Sequence, residues 1–272
     1  MTSISLKLKK LKTFYYNPII VFTMGKVGSR AIVEAIERNG IFPMDLHWLN
    51  STYHTIKDAN LFYKNKYRRK IYEIIHNCFL YILMFFQKKK IKVITVFRDP
   101  IEVRHSFLFQ DLHLFLFDYF GTNKDIVRAN SDENFLFKIM NTYLKEYYFK
   151  NYLENEVCKI FKLDKNNLDF NKKNGIGYFK SKKYEILFLT QEKMDSNIIS
   201  IEKFLGIDLE IKRINDSREK WYYPIKNKFQ ERTKYEELYL RNFYKNNNVN
   251  IFYSDEEIEG FIKKWKKYTM GL

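Results

Sequence analysis

Apolar residues along the chain gather into short continuous runs and into stretches of helical period, separated by polar turns. Residues 18–24, Pro-Ile-Ile-Val-Phe-Thr-Met, form a nearly unbroken apolar run opened by proline and closed by Gly25, the pattern of a central strand in a parallel sheet. From Ser29 onward, Ile32, Val33 and Ile36 recur at helical spacing, Glu34 and Glu37 fall on the other face, and Asn39-Gly40 supplies a stop. The same unit of strand, turn and helix is predicted again at residues 91–97, broken by Arg98-Asp99-Pro100, with the proline in the first turn of the next helix. A third apolar run, residues 185–189, precedes a helix over 196–205 that stops at Gly206. Strands alternating with helices predict an α/β protein.

Between and after these units the pattern changes. Residues 130–163 and about 233–267 read as helical, the latter with aromatic and basic residues interleaved, whereas residues 164–183, rich in Asn, Lys and Gly, read as an exposed loop. The most apolar stretch, residues 71–86, carries Glu73, His76 and Asn77 and falls short of the ~20 residues a spanning helix needs. It reads as a buried or interfacial helix, and an internal helix with solvated ends is the reading preferred here. The flanking bases Arg68, Arg69 and Lys70, and Lys88, Lys89 and Lys90, also suit peripheral contact with anionic lipid. No repeat or linker divides the chain, so residues 1–272 are expected to form a single domain, with a basic N-terminal segment over 1–16 and a helical C-terminal part over 230–272.

Composition adds a partner class. Lys and Arg number 48 against 32 Asp and Glu, a net charge of +16, while 46% hydrophobic and 18% aromatic content is far too apolar for a disordered basic tail. A folded protein with an anionic partner is implied: nucleic acid, an acidic membrane, a phosphorylated cofactor or an anionic polymer. Cys78 and Cys158 have no neighbours at metal-ligand spacing, which predicts neither a disulfide framework nor a zinc site and favours a reducing compartment. Residues 1–12 alternate Leu with Lys and lack the apolar core of a secretory signal, so a cytoplasmic location is expected.

The candidate chemistry sits in the turns. Met24-Gly25-Lys26-Val27-Gly28-Ser29-Arg30 lies between a strand and a helix, where backbone N–H groups converge on a point that binds anions. Gly28 lets an oxyanion approach the backbone, Ser29 caps the helix or donates its hydroxyl, and Lys26 supplies a charge. The nucleotide triphosphate loop GxxxxGK[ST] has a different order, with lysine after the last glycine. Here lysine precedes the glycine by two and no metal-binding aspartate stands out at a later strand end, which disfavours a magnesium-dependent phosphotransferase. The second strand ends in Arg98 with Ser106 eight residues on, about two helical turns later. Ligands bind at this edge of a parallel sheet, where Arg98 can clamp a phosphate bidentately and Ser106 can donate to the same group.

Taken together, Lys26-Val-Gly-Ser29 after a strand and Arg98-Asp-Pro-Ile-Glu-Val-Arg104-His-Ser106 resemble the paired nucleotide-binding signatures of sulfotransferases that use 3′-phosphoadenosine 5′-phosphosulfate (PAPS). Leu187-Phe-Leu-Thr-Gln-Glu192-Lys-Met-Asp195, followed by Ile201-Glu-Lys-Phe-Leu-Gly206, is similar to that family's strand, acidic turn and helix end. The likeness covers roughly residues 17–215, and its flavour, including Lys220-Trp221-Tyr222, is closest to bacterial sulfotransferase-like proteins of capsular polysaccharide synthesis. It implies a P-loop-like three-layer sandwich with a central parallel sheet flanked by helices. It also implies that Lys26, Gly28, Ser29 and the backbone at Arg30 and Ala31 hold the 5′-phosphosulfate, while Arg98 and Ser106 hold the 3′-phosphate. PAPS would be the co-substrate, without metal, and a glycan or lipid-linked saccharide the acceptor, with no nucleic acid partner and an address in the cytoplasm or at the inner face of the membrane.

An acceptor hydroxyl also needs a base. Asp45 and His47 share a parity in an extended segment and so face one side together. A neutral histidine can accept the proton, with Asp45 as an alternative base or an orienting partner, and His54 in reserve. Trp48, Trp221, Tyr222 and Tyr223 are candidates to stack on adenine or on an acceptor sugar, and Arg218 and Lys220 to close over the nucleotide. No HExxH or DxD occurs, so zinc hydrolysis and metal-dependent glycosyl transfer lack their ligands. The competing readings are a basic nucleic-acid-binding protein and a phosphotransferase with a P-loop-like nucleotide site.

Overall fold

The computed structural model describes residues 3–50, 66–110, 112, 136, 152–211 and 219–266. Helix α1 (Ser3–Tyr16) leads into strand β1 (Ile19–Phe22), helix α2 (Ser29–Arg38) and strand β2 (Met44–Leu46). Helix α3 (Lys66–Phe86) precedes strand β3 (Ile91–Phe97) and helix α4 (Pro100–Gln110). After a π-helical run (Tyr152–Cys158) come β4 (Phe170–Asn171), β5 (Ile176–Lys180), β6 (Tyr184–Thr190) and helix α5 (Ile198–Leu205). Helices α6 (Tyr223–Arg232), α7 (Glu237–Asn246) and α8 (Asp255–Trp265) complete the described chain.

The three apolar runs become β1, β3 and β6, buried almost throughout, because strands covered by helices on both faces have no solvent side to alternate with. The sheet has six strands in the order β2-β1-β3-β6-β5-β4, flanked by helices. Strands β2, β1, β3 and β6 run parallel; β5 pairs antiparallel with β6, and β4 antiparallel with β5. The sheet is therefore mixed rather than wholly parallel, and the loop expected over 164–183 is corrected: it carries β4 and β5. Polar composition there reflects an edge position, where the β6 backbone fixes the strand from Ile176 opposite Leu189 to Lys180 opposite Glu185. From β1 the chain crosses to β2 on one side and then returns to β3 on the other, which makes the crevice between the ends of β1 and β3 the topological switch point.

The helix expected over 130–163 is observed from Tyr152, as a π-helical run and a short α-turn (Lys159–Phe161); residues 130–135 and 137–151 lie outside the described residues, as do His54 and Arg218. Aromatic residues fill the core: Phe97 stacks on Phe252 at 3.8 Å between centroids and Phe22 on Tyr152 at 5.7 Å. The reading of residues 71–86 as an internal helix is also corrected, since on α3 Leu80 and Met84 are buried while Ile75, Phe79, Ile82, Phe85 and Phe86 are exposed. Among the described residues no helix is long and apolar enough to cross a membrane.

Candidate functional site

The turn after β1 is built from residues in the left-handed region: Gly25 (φ 85°), Lys26 (φ 59°) and Gly28 (φ 80°). A Cβ on Gly28 would meet Met194 and Gln191 only at ordinary contact distances, 3.5 and 3.7 Å, so backbone conformation rather than space requires glycine. Lys26 adopts the same region at a cost of about 1 kcal/mol. What holds it there comes from the second motif. The Arg98 guanidinium donates from Nη1 to the Lys26 carbonyl at 2.9 Å and to Ser106 Oγ at 3.4 Å, and from Nη2 to Glu102 Oε2 at 3.2 Å. On α4, Phe107 packs under the turn, its ring centroid 5.1 Å from Lys26 Nζ and its Cζ 3.2 Å from where a Gly25 Cβ would stand. The two loops that sequence placed 72 residues apart are thus one structure at the switch point.

Helix α2 opens on Gly28 with no side-chain cap, and Ser29 is nearly buried in its first turn. Ser29 therefore does not cap the helix. The Ala31 amide donates to the Gly28 carbonyl at 3.1 Å and so closes the turn. Arg30 turns its side chain outward to Glu34 (2.9 Å), which leaves only its backbone to the turn. The orphan amides of an uncapped N-terminus, next to Lys26 and Arg98, form a cationic cradle for an oxyanion. Arg98 has five N–H donors, and the three bonds above leave two for a ligand.

His47 lies just past the end of β2, exposed, with Nδ1 2.9 Å from the Thr23 carbonyl and 3.4 Å from Thr23 Oγ1. Because a carbonyl only accepts, Nδ1 is the donor in this contact, and in the neutral ring this tautomer leaves Nε2 as the lone-pair acceptor. Thr23 immediately precedes the glycine turn, so the imidazole is pinned beside the cradle. Asp45 sits inside β2, level with Val21, with Oδ1 buried and without a hydrogen-bond partner. No hydrogen bond joins it to His47: the orienting partner expected in Asp45 is the Thr23 backbone. The chain just after His47 is anchored by Glu156, fully buried, whose Oε2 accepts the N–H groups of Leu49 and Asn50 at 2.8 Å each. His105 is buried away from this edge, Nε2 2.9 Å from Tyr235 Oη, and burial pushes its imidazole down to about 3, which keeps it neutral.

Charges around Arg98 are matched. Burial pushes the Glu102 carboxyl up, but Arg98 and Lys264, the latter ion-paired to it, outweigh burial and hold it below the usual range. Asp99 is fully buried, accepting from Ile101 N (3.0 Å), Tyr244 Oη (3.0 Å) and Trp265 Nε1 (2.8 Å), and burial pushes it up to about 6. The third motif joins here: Glu192 accepts from the Asp99 N–H at 3.0 Å and from Tyr253 Oη at 2.7 Å. Trp221 is half exposed and packs edge-on against Tyr222, which lies 6.2 Å from Phe109 at the end of α4. Trp48 packs edge-on against Tyr152 at 5.2 Å.

Sequence reading missed Thr23, Phe107, Glu156 and Lys264. Glu102 was detectable, four residues after Arg98 at helical spacing; the others act through a backbone atom or from more than 70 residues away. Compared with known proteins, the chain matches no protein-family model, no curated protein and no solved structure.

Proposed function

We propose that the chain is a single-domain, P-loop-like three-layer enzyme that transfers the sulfuryl group of PAPS to a hydroxyl of a glycan or lipid-linked saccharide in cell-surface polysaccharide synthesis. One observation carries the reading: Arg98 joins the Lys26 turn to Ser106 at the switch point of the sheet, so a single nucleotide with two anionic ends can engage both motifs. Lys26 and the amides at Gly28, Ser29 and Arg30 would hold the 5′-phosphosulfate, and Arg98 and Ser106 the 3′-phosphate. His47 Nε2 would take the proton of the acceptor hydroxyl as its oxygen bonds to sulfur. The sulfur–oxygen bond to the leaving phosphate breaks, and the electron pair stays on that oxygen, facing Lys26 and the turn amides. Such a transfer is mainly positioning and charge stabilisation, which lysine, arginine and aligned amides supply. The exposed face of Trp221 offers a stacking surface for adenine or a sugar ring.

The test is calorimetric titration with 3′,5′-adenosine diphosphate alongside radiolabelled sulfate transfer from PAPS. Arg98→Ala should weaken the diphosphate by about 100-fold, the loss of one or two charge-assisted bonds, and leave 5′-adenosine monophosphate much less affected. Binding of 3′,5′-adenosine diphosphate that is no tighter than that of the monophosphate, or indifferent to Arg98, overturns the assignment.

A further inference from the structure

Helix α3 reverses the pattern of an ordinary surface helix. Its inward stripe is narrow: Leu80 and Met84 are buried, Asn77 donates to the Leu49 carbonyl at 3.1 Å, and Gln87, one residue past its end, donates to the Phe14 carbonyl at 2.7 Å. The outward face carries Ile71, Ile75, Phe79, Ile82, Phe85 and Phe86, with the last two 73% and 71% exposed. A polar outward face is the rule for a soluble helix, and a contiguous apolar one marks an interaction surface. The end of α1 extends it: Lys89 Nζ donates to the Tyr16 carbonyl at 2.8 Å, and Tyr15 and Tyr16 are exposed beside it.

Charge identifies the occupant. Residues 1–90 carry 16 Lys and Arg against 5 Asp and Glu, while residues 91–272 carry 32 against 27, so +11 of the net +16 lies in the third of the chain that contains α1 and α3. Helix α1 has Lys7, Lys9, Lys10 and Lys12 and no acid, and the first acid of the chain is Glu34. At the α3 end, Lys88, Lys89 and Lys90 follow Phe86, and Lys183 donates to the Phe85 carbonyl at 2.8 Å with its ammonium 5.3 Å from the Phe85 ring centroid. An apolar surface with aromatic residues and a lysine rim matches a bilayer: rings and aliphatic chains enter the acyl boundary while lysines snorkel to headgroup phosphates. Two copies of the chain face to face would bring two cationic rims together, which disfavours self-association.

We propose that the outward face of α3, with the end of α1, docks the protein peripherally on an anionic lipid bilayer. The proposal stands apart from the reaction above, because none of these residues touches the cradle. It is tested by co-sedimentation of the full chain with vesicles of phosphatidylcholine and phosphatidylglycerol against vesicles of phosphatidylcholine alone. The chain should pellet with the anionic vesicles and be released as salt rises toward about 0.5 M. Phe85→Ser with Phe86→Ser should lower that partition by at least about tenfold, with 3′,5′-adenosine diphosphate binding unchanged, and Lys88→Glu with Lys89→Glu and Lys90→Glu should abolish the preference for anionic lipid. Wild-type chain that stays in solution with anionic vesicles, or binds both vesicle types equally, overturns the proposal without need of any variant. So does a dimer, by light scattering, that the two serines convert to monomer.

Discussion

Replacing Trp265 by phenylalanine tests whether α8 is held to the Arg98 turn by a buried charge. Trp265 Nε1 donates to Asp99 Oδ2 at 2.8 Å, and Asp99 is the residue between Arg98 and α4. Phenylalanine keeps a ring against His105 and Lys264 but loses the donor. Burial raises Asp99 from the ordinary 3.8 to about 6, and the Trp265 bond works against burial by favouring the ionised form. A carboxyl raised in the folded state binds more protons there than in the unfolded chain. Its contribution to stability is therefore full below about pH 4 and falls as pH rises to about 6, a loss of about 3 kcal/mol for Asp99 in the wild type. Without the indole donor the rise is larger, so the loss continues to higher pH.

A hydrogen bond to a charged group contributes about 1.5–3 kcal/mol, and the smaller ring adds a pH-independent packing cost of about 1 kcal/mol. Trp265→Phe should thus destabilise by about 1 kcal/mol near pH 4.5 and by about 3 kcal/mol near pH 8. The assay is urea unfolding at intervals across that range, with the wild-type curve subtracted at each pH to cancel groups common to both proteins, Glu102 among them. A difference that does not change with pH, or that shrinks as pH rises, would refute the view that the indole supports an ionised Asp99.

Four further outcomes are expected. Glu102→Gln removes the carboxylate that shares Arg98, so affinity for 3′,5′-adenosine diphosphate should rise roughly fivefold, about 1 kcal/mol, by calorimetry. His47→Gln should lower kcat for sulfuryl transfer by about 100-fold or more with nucleotide binding intact, as fits loss of a general base. Glu156→Ala strands two amides and should cost about 2–4 kcal/mol in urea unfolding; Glu156→Gln, which keeps an acceptor, should recover most of it. At Gly28 an added methyl would make only ordinary van der Waals contact with Met194 and Gln191, but φ is 80°, so Gly28→Ala should destabilise by about 1–2 kcal/mol through backbone strain.

The parts of the fold that could be read from the chain are those where one local signal suffices. Apolar runs over 18–24, closed by Gly25, over 91–97, broken at Arg98-Asp99-Pro100, and over 185–189 mark β1, β3 and β6, because a strand buried on both faces needs no partner to declare itself. Strands β4 and β5 escaped for the opposite reason: β5 is held by backbone bonds to β6 and the short edge strand β4 by bonds to β5, and their Asn, Lys and Gly content resembles a loop. The exposure of α3 escaped because periodicity reports how apolar a face is and not what covers it.

The same distinction divides the site. Lys26, Arg98 and Ser106 were legible because each sits at a fixed offset from a strand end, and parallel strands that share a sheet must bring those ends to one edge. Asp45 and His47 shared a parity, yet spacing cannot see a main-chain carbonyl, and the Thr23 carbonyl rather than Asp45 sets the histidine tautomer. The residues that lock the cradle come from far away: Lys264 on Glu102, Tyr244 and Trp265 on Asp99, and Tyr253 on Glu192. They follow from how the C-terminal helices close over the ends of β3 and β6, a packing choice no window of sequence contains. A cradle so tied has little freedom to reorganise around an anion, since Arg98 is already bonded to the turn whose amides would face it. Preorganisation of that kind spares the entropy of ordering on binding, and its cost is the buried carboxyl of Asp99, which the folded chain tolerates only with three donors aimed at it.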